Sequence, residues 1–493
     1  MVARSDVKKQ ECWVSAVVIA CAIVGAACWN PGSGDTATTI GTDLDQISAE
    51  SVAAEAPEAD DQPAEELEDA QPLYETETAD VLFDQNVVHT FEIEVPAVAL
   101  AELDADPAAE KYVEGSLLFG GERLEAIGVR YKGSVGAFLG CTAGPQPFQP
   151  SGAKTCTKLS LKLKINWNGA NTEFFGQRKI QLHSMNLDTS LMRDRLGYLL
   201  FAEAGVAAPR STHARVVING EFVGLFALVE QIDGRFIQDR FDDGKGNLYK
   251  EVWPFGADGD VRPRFQLIAG LRTNEDDDPS TEIIESFVSD LLDSGAPTDE
   301  EAARRVLSQW TDLEAFVAYA VVDRAIHHDD GPFHWYCIDG PCEPHNFYFY
   351  EEPTSRRVHI IPWDLDNSLQ GWTPEALNPV TAMPDAFGDT SNACDPFPFG
   401  SFNLLQRSAG CDPLVAAWAS LDDEFERIDN NFRSGPFSIE SVTMHVEGWR
   451  DQIAPHVAEA ATLHDDAPSV AEWNSSVDQL LADIAAEPSR QEF

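Results

Sequence analysis

Residues 360–372 read IIPWDLDNSLQGW, a stretch in which an apolar run ends at Pro362 and two aspartates, Asp364 and Asp366, follow one residue apart. The stretch fits a strand end followed by an Asx turn, in which short acidic side chains bond the backbone. It also fits a carboxylate pair that holds a metal ion. Taken alone, the turn is the safer interpretation, so the rest of the chain has to distinguish the two.

The N-terminus has the features of an export signal. Basic residues at positions 4, 8 and 9 precede the apolar run 13–27, so residues 1–28 are predicted to be a signal peptide. Cys21 and Cys28 each follow a short apolar stretch that loosely fits a lipoprotein signal, which would tether the protein to a membrane through an N-terminal lipid. A plain secretory signal fits as well, and the apolar run is short for a retained membrane span. We therefore expect either a cell-envelope lipoprotein or a secreted bacterial protein.

Residues 29–80 contain 15 Asp and Glu and no Lys, Arg or His. Such a segment cannot bury enough apolar surface to offset the entropy lost on ordering, so we predict an acidic disordered linker. The whole chain carries a formal net charge of −49. This charge argues against nucleic acid as a partner, because non-specific binding depends on Lys and Arg at the phosphates.

Cysteine usage supports export. Three of the nine cysteines lie in the leader, and the remaining six form three neighbouring pairs across loop-like stretches. An even number in an exported chain favours disulfides, whereas no Cys-x-x-Cys or Cys/His spacing suits zinc. The predicted pairs are Cys141 with Cys156, Cys337 with Cys342, and Cys394 with Cys411.

The patterns from residue 85 to residue 490 predict one α+β unit of mixed strands and helices. Strand patterns dominate as far as residue 250, interrupted by a predicted helix over 190–205, and Asn219-Gly220 predicts a hairpin turn. Three helices are expected between 279 and 326, followed by strands at 347–352 and 357–363. From residue 413 the spacing of apolar residues is mainly helical.

Two motifs in the strand region supply groups that bind phosphate. RYKGSVGAF (130–138) runs from a strand into Gly133 and Ser134, where small residues let backbone N–H groups approach an anion. An ordinary turn is the commoner explanation of such a motif. KLSLKLKINW (158–167) places Lys158, Lys162 and Lys164 on one face of a predicted strand, which is either solvated or directed at an anion.

Carboxylates and an amide precede residues 360–372, which we call the opening stretch. HHDDGPFHWY (327–336) contains Asp330, and PHNFYFY (344–350) contains Asn346. These oxygens are ligands that Mg²⁺ prefers, together with phosphates. Phosphoryl transfer needs a cation on the phosphates, a bridging metal and a carboxylate that orients the attacking hydroxyl. The chain contains all three kinds of group in the order that protein kinases use, although the kinase motifs themselves are absent.

Residues 129–372 resemble the spore coat protein H (CotH) kinase family of secreted atypical protein kinases. The matching pieces are RYKGS, KLSLKLK, FGQRKIQLHSMNLDTSLMRDRLGYLLFAEAGVAAPR, VVINGEFVGLFALVEQID, GNLYK, HDDG with the later HN, and IIPWDLDNS. The resemblance implies a two-lobed, protein-kinase-like fold with a helical C-terminal part. It also implies transfer of phosphate from ATP, with Mg²⁺ or Mn²⁺, to Ser or Thr of an exported protein substrate.

The resemblance also implies roles for the acidic residues. Asp330 takes the position of the catalytic aspartate, which acts as a base or orients the hydroxyl. Asn346 and Asp364 take the positions of metal ligands, with Asp366 either an auxiliary ligand or a turn residue. This chain has His328-Asp329-Asp330 where relatives show an Asn-x-Asp run, so either Asp329 or Asp330 is the catalytic residue.

The resemblance further implies that Lys162 is the phosphate-contacting lysine, with Lys158 as the second choice. Glu230 lies at a motif position and either pairs with that lysine or lines the nucleotide pocket. Arg193 and Asp194 belong to the helix motif, where surface pairing is the simpler explanation. Two alternatives to a kinase remain open at this point. One is a non-catalytic coat-assembly scaffold of the same fold. The other is a metal-dependent hydrolase, which is the weaker alternative because no His-rich ligand set accompanies the carboxylates.

Overall fold

The computed structural model describes residues 73–76, 78–146, 149–256, 259–275, 279–328, 330–337, 341–370, 394–399 and 404–487. The predicted signal peptide, Cys21 and Cys28, most of the predicted linker and Asp329 lie outside the described residues. The described chain is α+β, as the sequence predicts.

Seven strands close a barrel in the order β1-β2-β3-β4-β5-β7-β6, with β1 and β6 parallel and the other neighbours antiparallel. They are β1 (His89–Glu94), β2 (Val113–Phe119), β3 (Glu122–Tyr131), β4 (Leu161–Lys164), β5 (Lys179–His183), β6 (Ser211–Ile218) and β7 (Glu221–Val229). Alternation decides which side chains enter the barrel: Leu161 and Leu163 are buried inside, so Lys162 faces out. At the β6–β7 turn, Asn219 and Gly220 have φ values of 52° and 84°, as a type I′ turn requires.

Two smaller antiparallel sheets belong to the second lobe. A three-stranded sheet has the order β12-β11-β8, and a four-stranded sheet has the order β10-β9-β14-β13. Their strands are β8 (Leu248–Lys250), β9 (Trp335–Cys337), β10 (Cys342–Glu343), β11 (Phe347–Glu352), β12 (Arg357–Pro362), β13 (Phe397–Phe399) and β14 (Leu404–Arg407). The predicted strand pair before the opening stretch is therefore β11 and β12, and β12 ends at Pro362.

The helices of the described chain are α1 (Leu73–Thr76), α2 (Ala97–Ala105), α3 (Val135–Phe138), α4 (Arg193–Glu203), α5 (Gly234–Arg240), α6 (Arg264–Ala269), α7 (Glu282–Asp293), α8 (Glu300–Trp310), α9 (Leu313–Ala325), α10 (Pro413–Ala419), α11 (Asp422–Ser434), α12 (Ile439–Leu463) and α13 (Val470–Ala486). Among them, α2, α3 and α4 lie between barrel strands in the sequence, and most of the others follow β7. None of the described helices is long and apolar enough to cross a membrane.

The apolar side chains form two cores, one inside the barrel and one among the helices and small sheets. This division gives the two lobes of a kinase-like fold. Helix α12 returns to the barrel, where the guanidinium of Arg215 on β6 lies 2.7 Å from the carboxylate of Glu459. The C-terminal helices therefore tie the barrel to the second lobe.

Three disulfides are present, and they join the same pairs that the sequence predicts: Cys141 with Cys156, Cys337 with Cys342, and Cys394 with Cys411. The Cys337–Cys342 bond links β9 to β10, so it closes the loop between Asp330 and Asn346.

Candidate active site

A polar cleft with a volume of about 460 Å³ collects most of the site residues predicted from the sequence. The barrel side contributes Gly133, Ser134 and Lys162, and the second lobe contributes Asp330, Asn346, Asp364 and Asp366. These residues span more than 230 positions of the chain. Folding therefore brings residues that are distant in sequence together around one cleft, where they can act on the same ligand.

The barrel wall of the cleft is the outer face of β3, β4 and β5. Lys162 on β4 lies opposite Arg130 on β3 and Gln181 on β5, so the three side chains share that face. Burial, and after it the positive charge of Lys132, lowers the pKa of Lys162 to about 6. Because burial makes this ammonium group costly to charge, an anionic ligand beside it would stabilise its charged form.

Lys132 is a second cation of the cleft that the sequence analysis did not assign. Its Nζ donates to Gln181 Oε1 at 2.9 Å, lies 2.7 Å from His183 Nε2 and lies 5.2 Å from the ring centre of Trp363. Burial lowers the pKa of Lys132 to about 8, although the charge of Asp364 opposes this shift. The position of Lys132 directly before Gly133 in the RYKGS motif was the available signal.

Gly133 has a conformational role that differs from the predicted one. Its φ is 137°, and a Cβ at this position would lie 2.1 Å from the Cβ of Ala137, so only glycine fits. Its backbone N–H donates to Glu110 Oε1 at 3.0 Å instead of pointing at an anion. Glu110 also pairs with Arg130 at 2.6 Å. Ser134 follows at the start of α3 and lines the cleft.

Asp330 follows α9 on the second lobe and is buried. Its Oδ2 accepts a hydrogen bond from Asn346 Nδ2 at 2.7 Å, and its Oδ1 accepts one from the hydroxyl of Tyr336. The predicted hydroxyl-orienting residue and one predicted metal ligand are therefore in direct contact. Asp329, the alternative, lies outside the described residues.

His328 connects the Asp330 loop to the opening stretch. Its Nδ1 lies 3.0 Å from Asp323 Oδ2, and its Nε2 lies 3.2 Å from the backbone oxygen of Asp364. Burial disfavours charge on the ring, but the hydrogen bond and charge of Asp323, the charge of Asp330 and the Asp364 carbonyl together raise the pKa of His328. Through these two contacts the imidazole ties the two loops together.

Asp364 has the left-handed backbone conformation, with φ 55° and ψ 64°, at the start of a short 3₁₀ turn over Leu365–Asn367. Its side chain makes no capping hydrogen bond to that turn, so the Asx-turn explanation of the stretch does not hold for Asp364. Its backbone N–H donates to the buried hydroxyl of Tyr198 at 3.0 Å. Because a non-glycine residue in this conformation is strained, Tyr198 helps to hold the carboxylate in the cleft.

Asp366 and Asp194 add two further carboxylates to the cleft. Burial, and after it the negative charges of Asp364 and Asp194, raises the pKa of Asp366 well above its usual range. Asp194 Oδ1 is buried and has no hydrogen-bond partner among the described residues; the nearest ring nitrogen of His183 is 3.6 Å away. Asp194 is thus a cleft residue, and its expected place in a surface pair was wrong.

This donor set fits a divalent cation. Carboxylate and amide oxygens are the ligands that Mg²⁺ and Mn²⁺ take, and a cation would offset the repulsion that raises the pKa of Asp366. Within the described ranges, no three His, Cys, Asp or Glu side chains are grouped closely enough to hold a metal ion by themselves. Asn346 and substrate phosphate oxygens would complete the shell, as is usual for Mg²⁺.

Two predicted phosphate-site residues do not line the cleft. Lys158 precedes β4, and its Nζ donates to the backbone oxygen of Leu225 at 2.8 Å, away from the other site residues. Glu230 is buried and pairs with Arg210, at 2.6 Å, and with Arg240 instead of with a lysine. Both predictions are corrected: Lys158 anchors β7, and Glu230 joins β7 to α5.

Arg193 also differs from the expected surface pair. Its Nη1 donates to Gln370 Oε1 at 2.7 Å and to the backbone oxygen of Asp366 at 3.3 Å. Helix α4 thus holds the opening stretch through Arg193 and Tyr198, while its Asp194 faces the cleft.

Comparison with known proteins shows a family match and similarity to a curated protein. Residues 129–486 match the family model described as CotH kinase protein. Inner spore coat protein H of Bacillus subtilis (strain 168) is 21% identical over 201 residues, which cover 39% of this chain and 50% of that protein. The chain therefore spans about half the length of this curated relative.

Proposed function

The chain belongs to the CotH kinase protein family, and from that premise we propose that it is an exported protein kinase that transfers the γ-phosphoryl group of ATP to Ser or Thr hydroxyls of secreted or envelope proteins. The observation that carries the proposal is the convergence of Lys162 and Lys132 with Asp330, Asn346 and Asp364 in one cleft. Phosphoryl transfer is catalysed mainly by positioning and charge stabilisation, for which this combination of groups is suited.

The residues divide into two groups by role. Lys162, Lys132 and Ser134 contact the phosphates from the barrel side. Asp330 orients the acceptor hydroxyl and receives its proton as the oxygen attacks the γ-phosphorus and ADP leaves. Asn346, Asp364 and Asp366 would hold Mg²⁺ or Mn²⁺, which supplies neutralisation of phosphate charge when bound. Glu230 and Lys158 have structural roles outside this set.

Export is consistent with three disulfides in the described chain, which form in oxidising compartments. The printed name of the relative adds a second candidate function, namely a structural role in a spore coat. A lipid anchor on Cys21 or Cys28 remains a proposal from the signal sequence. A purely structural scaffold has no need for Asp330, Asp364 and Lys162 in one cleft, so we favour the kinase.

A phosphotransfer assay with two variants tests the proposal. The purified protein is incubated with γ-labelled ATP, Mn²⁺ and a Ser/Thr peptide mixture, beside Asp364→Ala and the matched variant Asp478→Ala on the exposed face of α13. We expect transfer by the wild type and by Asp478→Ala, and a loss of roughly 100-fold or more in Asp364→Ala, equivalent to several kcal/mol of charge stabilisation. Absence of transfer and of ATP-dependent thermal stabilisation in the wild type would leave the coat scaffold.

A further inference from the structure

Tyr336 contacts the proposed catalytic carboxylate from inside the protein. Its hydroxyl donates to Asp330 Oδ1, and both residues line the cleft. Tyr336 is 2% exposed, so its ring is buried while its hydroxyl reaches the site. A tyrosine hydroxyl thus bonds the group that the proposed reaction assigns to the hydroxyl of the substrate.

The two oxygens of Asp330 have different neighbours. Oδ2 accepts a hydrogen bond from Asn346 Nδ2 at 2.7 Å, so it faces the proposed metal ligands. Oδ1 accepts the hydrogen bond from the Tyr336 hydroxyl. The Tyr336 hydroxyl thus takes up one acceptor position of Oδ1, so a Ser or Thr hydroxyl directed at that position has to displace it.

The backbone of Tyr336 is fixed by the strands on either side of it. On β9, Tyr336 pairs with Glu343 of β10 and Gln406 of β14, and the neighbouring Cys337 is disulfide-bonded. The ring stacks on His345 with centroids 4.4 Å apart and an interplanar angle of 3°. Release of the hydroxyl from Asp330 therefore requires a movement of the Tyr336 side chain against this stack, whereas the strand pairing can stay unchanged.

We propose that the Tyr336 hydroxyl occupies the acceptor position on Asp330 in the resting protein and is displaced by the substrate hydroxyl. The inference rests on the proposed kinase function and adds a built-in competitor to it. Tyr336 sets a threshold for acceptors: a peptide gains access to Asp330 only when its binding outweighs the internal hydrogen bond. Water, which binds weakly, is excluded from the same oxygen, so ATP is protected from hydrolysis between turnovers.

The test compares the wild type, Tyr336→Phe and Tyr319→Phe. Phenylalanine keeps the stack on His345 and removes only the hydroxyl. Tyr319 lies on α9 outside the cleft, and its buried hydroxyl has no hydrogen-bond partner in the described part of the chain, so it controls for loss of a buried hydroxyl. Kinetics with a Ser peptide give KM for the peptide, KM for ATP and the rate of ATP hydrolysis without peptide.

For Tyr336→Phe we expect a fall of about tenfold in KM for the peptide, the equivalent of one hydrogen bond to a charged group, with KM for ATP unchanged and faster ATP hydrolysis without peptide. Tyr319→Phe should match the wild type. A normal wild type with an unchanged or raised peptide KM in Tyr336→Phe overturns the inference and leaves the kinase proposal standing. If neither the wild type nor Tyr336→Phe transfers phosphate, the kinase proposal itself fails, and the inference fails with it.

Discussion

Lys162 is a buried lysine of the cleft whose positive charge is disfavoured by its surroundings. Its pKa is lowered to about 6, first by burial and then by neighbouring cations that include Lys132 and Lys179. The ordinary pKa of lysine is about 10.4, so between these values the unfolded chain binds more protons than the folded chain. Through this residue, stability rises as the pH increases across that window, and we expect Lys162 to be mostly neutral at pH 7 when no anion is bound.

ATP binding should therefore take up a proton. The phosphates raise the pKa of Lys162 above 7, so about one proton is bound per ATP at pH 7, and the affinity falls by up to about tenfold per pH unit as the pH rises above 6. Calorimetry in buffers of different ionisation enthalpy measures the uptake. Lys162→Arg should abolish most of it, because guanidinium stays protonated.

The control for this prediction is Lys164→Arg. Lys164 lies on the same strand but outside the cleft, with its ammonium 5.9 Å from the ring centre of Trp167. This variant should keep the full proton uptake of the wild type. Equal uptake in Lys162→Arg and the wild type would assign the proton to another group.

Helix α4 positions the two aspartates of the opening stretch. Tyr198 accepts the Asp364 N–H, and Arg193 donates to the backbone of Asp366, so one helix holds both aspartates of the opening stretch. The N-terminus of the helix is itself fixed by Asp188, whose Oδ2 accepts the Arg193 N–H at 2.9 Å. The DTSLMRDRL motif thus positions the proposed metal site through contacts with the backbone of its aspartates.

Tyr198→Phe should lower the free energy of unfolding by about 1–3 kcal/mol, because the Asp364 N–H is left without its partner in a buried site. The Mn²⁺ concentration that gives half-maximal activity should also rise, because Asp364 is held less firmly. Urea denaturation and metal titration measure the two effects. Tyr319→Phe, which breaks no hydrogen bond within the described residues, should change stability by less than about 0.5 kcal/mol. Identical curves for the two variants would remove Tyr198 from this role.

The elements could be predicted from sequence wherever local periodicity decides them. The strands at 347–352 and 357–362 and helix α9 lie within a few residues of their predicted bounds. Closure of the barrel could not be predicted, because the parallel pairing of β1 with β6 joins segments more than 100 residues apart. Local alternation contains no information about such a contact.

The site residues, too, could be placed from sequence where local periodicity decides their position, and not where long-range packing does. Alternation in a regular strand places Lys162 and Lys164 on one face, and the family resemblance singled out Lys162. Lys158 was misplaced because β4 begins only at Leu161, so alternation counted back to 158 has no meaning. Asp194 was missed because an acid beside arginines in a helix has the pattern of a surface pair, and only packing of α4 against the opening stretch shows that it is buried.

At the scale of the whole molecule, a cation-lined cleft lies within a strongly acidic protein. The chain has a net charge of −49, and acids such as Glu110, Asp233 and Glu251 line the cleft beside its lysines. The inner cations favour the phosphates of ATP at short range. At distances beyond about 10 Å, roughly the Debye length, the net acidity governs which protein substrates approach.

Acceptor peptides with Lys or Arg around the Ser should therefore be preferred over matched peptides with Asp or Glu. Steering by the summed charge raises association rates by about 10-fold or more at low ionic strength, so kcat/KM should favour the basic peptide by at least this factor at about 20 mM salt. The preference should shrink as salt is raised to about 0.5 M, while the kcat values of both peptides stay close, because screening acts on the encounter and leaves the chemical step alone. Initial rates for a peptide pair of equal length across a salt series measure this. A preference for the acidic peptide, or a basic preference that salt leaves unchanged, would mean that local contacts with the cleft and not the molecular field select the substrate.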